Sequence, residues 1–254
     1  MRSYAQYCPI AKASEILGDR WTLLIVREML GGASGFNELQ RGLPGISRSV
    51  LADRLRSLER AEIVERRLGP KGKTLEYRLT LAGRDLESVV QAIGEWGVTW
   101  SFTDPRPEEL DPDLLIVWMA RHVDREQLPA DRTVVQFDFR EPAKRYWMVL
   151  EPSEVSVCLQ HPGFDVDLEV RVDTATLYRV YLGRAELGGA MRARKLTMSG
   201  RRALQRAFGR WFAWSAFAPA SRQADERRRA ASRLAGPERV RVEQKLPANP
   251  LSST

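Results

Sequence analysis

Gly45–Ala61, GISRSVLADRLRSLERA, decides how the first part of this chain folds. Leu51, Leu55 and Leu58 recur at spacings of four and three, which places them along one face of a helix. Ser49, Ala52, Asp53, Arg56 and Arg60 fall on the opposite face, and Arg48 and Arg54 flank the leucine stripe. Ser47 stands at the N-cap position, where its hydroxyl can accept a backbone N–H of the first turn. Just upstream, FNELQRGLPG (residues 36–45) carries Phe36 and Leu39 three apart and then a Gly/Pro turn. Helix, tight turn, helix is the arrangement by which a second helix enters the DNA major groove. Downstream, IVERRL (63–68) and LEYRLT (75–80) read as two short strands around Gly69-Pro70-Lys71-Gly72-Lys73-Thr74, a basic hairpin tip suited to a DNA-binding wing. The expected DNA-contacting set is Ser47, Arg48, Ser49, Ala52, Asp53, Arg54, Arg56, Lys71 and Lys73.

Residues 7–100 resemble the winged-helix regulators of the HxlR family. The matching stretches are YCPIAKASEILGDRWTLLIVREML, FNELQRGLPGIS, VLADRLRSLERAEIVERR, EYRLTLAGRDL and IGEWG. The resemblance implies a sequence-specific, DNA-binding transcriptional regulator, a repressor, dimeric on a pseudo-palindromic operator in double-stranded DNA. One departure is Glu62, where family members usually carry Gly just past the recognition helix. Glycine there favours a left-handed C-cap, so Glu62 is expected to cost stability without removing DNA binding. Some relatives use a cysteine near Cys8 as a redox or electrophile sensor. A reactive thiolate there needs a positive group or a helix N-terminus, and Pro9 begins an expected helix. A purely redox-controlled regulator is therefore the alternative reading.

The chain has 254 residues, 43% hydrophobic and 29% charged, an ordinary globular composition with room for two cores. Its net charge of +7 is unevenly spread: +3 over residues 1–100, −4 over 101–199 and +8 over 200–254. The DNA-binding segment is only mildly basic, so affinity rests on where its arginines and lysines stand. The longest apolar run is short of a membrane span, MRSYAQYC lacks a secretory apolar region, and two distant cysteines imply no disulfide framework. A cytoplasmic protein without membrane insertion is expected.

Residues 9–17 and 20–30 read as two helices interrupted at Gly18-Asp19, with Trp21, Leu24, Ile25 and Met29 expected to face the recognition helix. Leu81–Trp100 carries Leu86, Val89, Val90, Ile93, Trp96 and Trp100 at helical spacing, a stripe longer than a lone winged helix can bury. The family resemblance pairs this helix with its twin in a homodimer; packing on a second domain is the other candidate. Expected units are a winged helix-turn-helix over 1–102, a linker at 103–107, a second domain over 108–219 and a disordered basic tail at 220–254. In the second domain a helix over 108–123 precedes β-rich runs at 133–139, 145–151, 155–160 and 166–172. A helix over TATLYRVYLGRAEL, a fifth strand in RARKLTMSG and a helix over Arg201–Phe217 then follow. That order makes the chain α+β, with a C-terminal α/β sandwich of about five strands. It resembles a sterol-carrier-protein domain through GFDVDLEVRVDTATLYRVYLGRAEL and ARKLTMSGRRALQRAFGRWF. Such relatives enclose an apolar tunnel, so a hydrophobic small-molecule or lipid effector is implied, with Trp118, Trp147, Trp211, Phe212 and Trp214 as the candidate wall. A lipid-binding module whose winged helix contacts only protein is the rival to a regulator.

His122 and His161 are the only histidines, and no zinc spacing, phosphate loop, nucleophile elbow or metalloprotease motif occurs. No enzyme, cofactor or metal is expected.

Overall fold

The computed structural model describes residues 3–69 and 75–234. In the N-terminal part the helices are α1 (Pro9–Leu17), α2 (Thr22–Leu30), α3 (Phe36–Arg41) and α4 (Arg48–Arg60). A hairpin of β1 (Val64–Leu68) and β2 (Leu75–Leu79) follows, then the long helix α5 (Leu81–Trp100). Leu51, Leu55 and Leu58 of α4 are buried and meet Ile25, Val26 and Met29 of α2 and Leu39 of α3 in one core. Leu24, expected on this inner face, is exposed instead, and Val26 takes its place. Thr80 ties the hairpin to α5. Its hydroxyl accepts from the Gly83 N–H and donates to the Glu62 carbonyl at 2.6 Å. Gly83 is required for this approach, since a Cβ there would lie 2.2 Å from the Ile63 carbonyl oxygen.

The recognition helix ends as the sequence implies. Glu62 takes φ +57°, its N–H donates to the Glu59 carbonyl, and the Ile63 N–H reaches back to that of Leu58. This is a Schellman-type cap with a glutamate in the left-handed position where glycine is cheapest.

The C-terminal part carries α6 (Pro112–Arg121), β3 (Thr133–Arg140), β4 (Ala143–Leu150), β5 (Val155–Cys158) and β6 (Leu168–Val172). Then come α7 (Thr174–Tyr181), α8 (Leu187–Arg192), β7 (Leu196–Gly200), α9 (Arg202–Ala207) and α10 (Ala218–Leu234). The strands form one sheet in the order β5-β4-β3-β6-β7, antiparallel except for the parallel β3–β6 pair. Helices α6, α7, α8 and α9 lie on one face, where Val135, Phe137, Met148, Val170, Leu115, Met119 and Phe208 share the core. Alternation puts Val134, Trp147 and Val149 on the other face, in a small separate cluster with Cys158.

Three sequence expectations change here. TATLYRVYLGRAEL is not one helix: α7 stops at Tyr181 and Gly183 turns with φ +74° before α8. Arg201–Phe217 is not one helix either, because the backbone around Trp211–Ala213 bonds to a distant segment. The Ala213 N–H donates to the His122 carbonyl, the Asp124 N–H to that of Trp211, and Phe212 bridges Val123. The tail expected to be disordered from residue 220 begins inside α10, which runs to Leu234; residues 235–254 lie outside the described residues.

Helix α10 packs on α5 and buries the small residues Ala218, Ser221 and Ala224 at three-residue spacing, with Ala218 against Gly183 of the α7–α8 turn. Arg228 donates to the Val98 and Phe102 carbonyls at 3.3 and 2.7 Å, a basic cap on the C-terminal end of α5. Asp225 bridges Arg228 and Arg184, and Arg184 also donates to the Thr103 carbonyl. The Phe217 ring fills the space a side chain at Gly94 would need.

Candidate nucleic-acid interface

Helix α4 carries its leucines inward and leaves Arg48, Ser49, Asp53, Arg56 and Arg60 exposed, with Ala52 half-buried beside them. Ser47 caps it, accepting from the Val50 N–H at 3.2 Å and lying 3.1 Å from the Ser49 hydroxyl. Arg48 braces α4 against α3: its guanidinium donates to Asn37 Oδ1 and Gln40 Oε1 and stands 4.9 Å from the Phe36 ring centroid. Asp53 and Arg56 pair with each other on the open face. At an exposed site such a pair contributes little, which leaves Arg56 free to exchange partners.

Arg54 differs from its neighbours. It is half-buried, pairs with Asp19 at 2.5 Å and donates to the Arg20 carbonyl at 3.2 Å, so it ties α4 to the α1–α2 loop. Lys71 and Lys73 lie outside the described residues. The basic groups that sequence reasoning missed are Arg66, Arg67 and Arg78 on the hairpin strands, all exposed, and Arg84 on α5. Arg66 reaches Glu59 of α4 at 2.5 Å, which holds the hairpin against the recognition helix. Arg67, Arg78 and Arg84 line a cleft of about 420 Å3 at the hairpin base. The Arg66-Arg67 pair inside IVERRL was the available signal.

Glu38 organises the turn that precedes α3. Its carboxylate accepts from the Ser34 and Gly35 N–H groups at 3.1 and 3.0 Å. Burial pushes its pKa up, but these two backbone donors together with the Arg121 and Arg41 charges outweigh that and hold it below the ordinary glutamate value.

Of the five aromatics expected to wall a tunnel, Trp118, Trp211, Phe212 and Trp214 pack in or against one core cluster, and Trp147 lies apart from it. Trp211 and Phe212 lie in the layer between sheet and helices, packed around Phe208, with Trp214 at its edge 5.5 Å from Phe212. Trp147 is on the opposite face of the sheet, its Nε1 donating to Gln136 Oε1 at 3.0 Å. Trp118 sits where the two parts of the molecule meet, between Tyr181 and the Arg27 guanidinium. Trp211 is fully buried, and its indole N–H finds no acceptor among the described residues. Cys8 is a half-buried thiol at the N-cap of α1, with Pro9 as the first helical residue. Among the described residues no group of His, Cys, Asp and Glu is set to hold a metal ion, and no helix is long and apolar enough to cross a membrane.

A capped recognition helix, a short helix and turn before it and a basic hairpin behind it define a winged helix-turn-helix protein. The chain belongs to the HxlR-like helix-turn-helix family, whose model matches residues 16–104, and residues 121–212 match that of the SCP-2 sterol transfer family. It is similar to the uncharacterized HTH-type transcriptional regulator YvaP of Bacillus subtilis, 37% identical over 105 residues, which are 39% of this chain and 97% of that one. It is 41% identical over 100 residues to the uncharacterized regulator Rv3095 of Mycobacterium tuberculosis, covering 39% of this chain and 61% of the relative. The HTH-type transcriptional regulator YodB of Bacillus subtilis is 38% identical over 91 residues, 35% of this chain and 81% of YodB. The chain is thus a DNA-binding transcriptional regulator of the HxlR type with an SCP-2-like domain attached.

Proposed function

We propose that the chain acts as a homodimer on a pseudo-palindromic operator and that a hydrophobic effector held by the C-terminal domain controls it. The carrying observation is the exposed apolar stripe of α5. Val89, Ile93, Trp96 and Trp100 remain open although α5 gives one side to the helix-turn-helix core and another to α10. Closing that stripe against a second copy buries the two tryptophans and presents both α4 helices to one side of a duplex. Ser49, Ala52, Asp53 and Arg56 then face base edges, while Arg48, the hairpin arginines and Lys71 and Lys73 serve the phosphates.

The effector reading is supported by the SCP-2 match and by the aromatic layer around Trp211, where the unpartnered indole N–H is a donor for a ligand oxygen. That layer is filled by Phe208, Trp211 and Phe212, so a ligand enters by displacing them, which gives occupancy a mechanical consequence. No catalytic step belongs to this reading. Organic extraction of the purified full chain followed by mass spectrometry tests the effector: a co-purified lipid or other hydrophobe supports it. A clean extract together with unchanged Trp fluorescence on titration with fatty acids and sterols removes it.

A further inference from the structure

The C-terminal domain also touches the helix-turn-helix directly, at a buried carboxylate. Glu28, on α2, has a side chain only 1% exposed. Such a charge persists only when paired and hydrogen-bonded. Its Oε1 accepts from Arg27 Nη2 at 2.7 Å and from Trp118 Nε1 at 3.4 Å, and its Oε2 accepts from Arg121 Nη1 at 2.6 Å. Arg27 is its neighbour in the chain, but Trp118 and Arg121 come from α6.

On its other side the carboxylate lies against the turn between α3 and α4. A Cβ added at Gly42 would stand 1.9 Å from Glu28 Oε2, so only glycine admits the carboxylate there, although Gly42 itself has an ordinary φ of −74°. Arg27 Nη2 also donates to the Gly42 carbonyl at 3.4 Å. Gly42 C-caps α3, and Ser47, five residues on, N-caps the recognition helix. Helix α6 is therefore two-faced. Leu115, Ile116 and Met119 are fully buried in the domain core, while Trp118 and Arg121 hold Glu28. Tyr181 stacks on Trp118 at 6.2 Å and extends the contact into α7.

We propose that Glu28 is a coupling post. A repacking of the C-terminal core that shifts α6 withdraws Arg121 and Trp118 from Glu28, and the buried carboxylate, left with Arg27 alone and its Oε2 unpaired, then loosens the Gly42–Ile46 turn that aims the recognition helix. This rests on the DNA-binding reading and gives it a second control route, separate from the α5 dimer helix. Arg121, Trp118 and Gly42 are positioning residues, since none belongs to the exposed face of α4.

The test uses full-length protein and the duplex that the wild type selects from a randomised library. Arg121→Gln is expected to weaken binding about tenfold, within the usual range of coupling free energies, and Arg121→Lys to restore part of it. Gly42→Ala should weaken binding similarly, and the double variant should lose no more than either single one, because both act through one carboxylate. Arg132→Gln, at a surface pair with Glu151 in the same domain, is expected to change nothing. Amide exchange is the second readout: Arg121→Gln should accelerate it at residues 42–46 while circular dichroism stays native. Wild-type affinity and unchanged exchange in folded Arg121→Gln overturn the proposal. If the wild type selects no duplex, the DNA-binding reading fails by itself, and the exchange measurement alone decides whether Arg121 holds the turn.

Discussion

Glu62 is exposed and left-handed, so replacing it with glycine removes backbone strain and no contact. Glu62→Gly should stabilise the N-terminal domain by about 1 kcal/mol, the left-handed cost less the added chain entropy of glycine, measured by urea unfolding. Glu38 gives a pH dependence whose sign is fixed. Because its folded pKa is depressed, the unfolded chain binds more protons, and the stability from Glu38 is fully present above the ordinary glutamate pKa of about 4.3. It is lost as pH falls through that value toward the lower folded one. Glu38→Gln should flatten the fall in stability over that window; an unchanged profile would assign it to other carboxylates. Arg56→Ala should cost about 1–3 kcal/mol of operator affinity, whereas Arg54→Ala should show first as lost thermal stability, since Arg54 serves the α1–α2 loop.

At the scale of elements, legibility followed locality. The Leu51, Leu55, Leu58 stripe, the Ser47 cap and the Glu62 departure were all readable because each is settled within a few residues. The break at Trp211–Ala213 was not, since its backbone partners His122 and Asp124 lie about ninety residues away and local periodicity still reads as helix. Helix α10 escaped for another reason: the residues it buries are Ala218, Ser221 and Ala224, too small to give a strong apolar signal, and its anchor is Arg228 on the end of α5. The exposed polar face of α4 was legible, but a helical wheel cannot show that Asp19 lies within reach of Arg54. Helix α5 makes the element-level prediction. Trp96 is 62% exposed, so Trp96→Glu should leave the monomer folded yet shift sedimentation from dimer to monomer. A dimer that survives Trp96→Glu and Ile93→Glu together would place the interface elsewhere.

At the scale of the whole molecule, two cores are joined at two places: Glu28 with α6, and α5 with α10. No periodicity announces the first. A lone glutamate in TLLIVREML reads as an ordinary polar position, and its partner Arg121 is 93 residues on. Both joints lead from the SCP-2-like domain to parts that set the recognition helix, one through its preceding turn and one through the dimer helix. The central claim is that this assembly reads a specific duplex through α4. Fluorescence anisotropy across a salt series, comparing the full chain and Arg56→Ala on DNA from upstream of its own gene and on unrelated DNA, tests it most directly. Tight, salt-dependent binding to the upstream duplex, weak binding to the control, and loss of the difference in Arg56→Ala are the expected result. Equal weak binding to both duplexes, unchanged by Arg56→Ala, would contradict it.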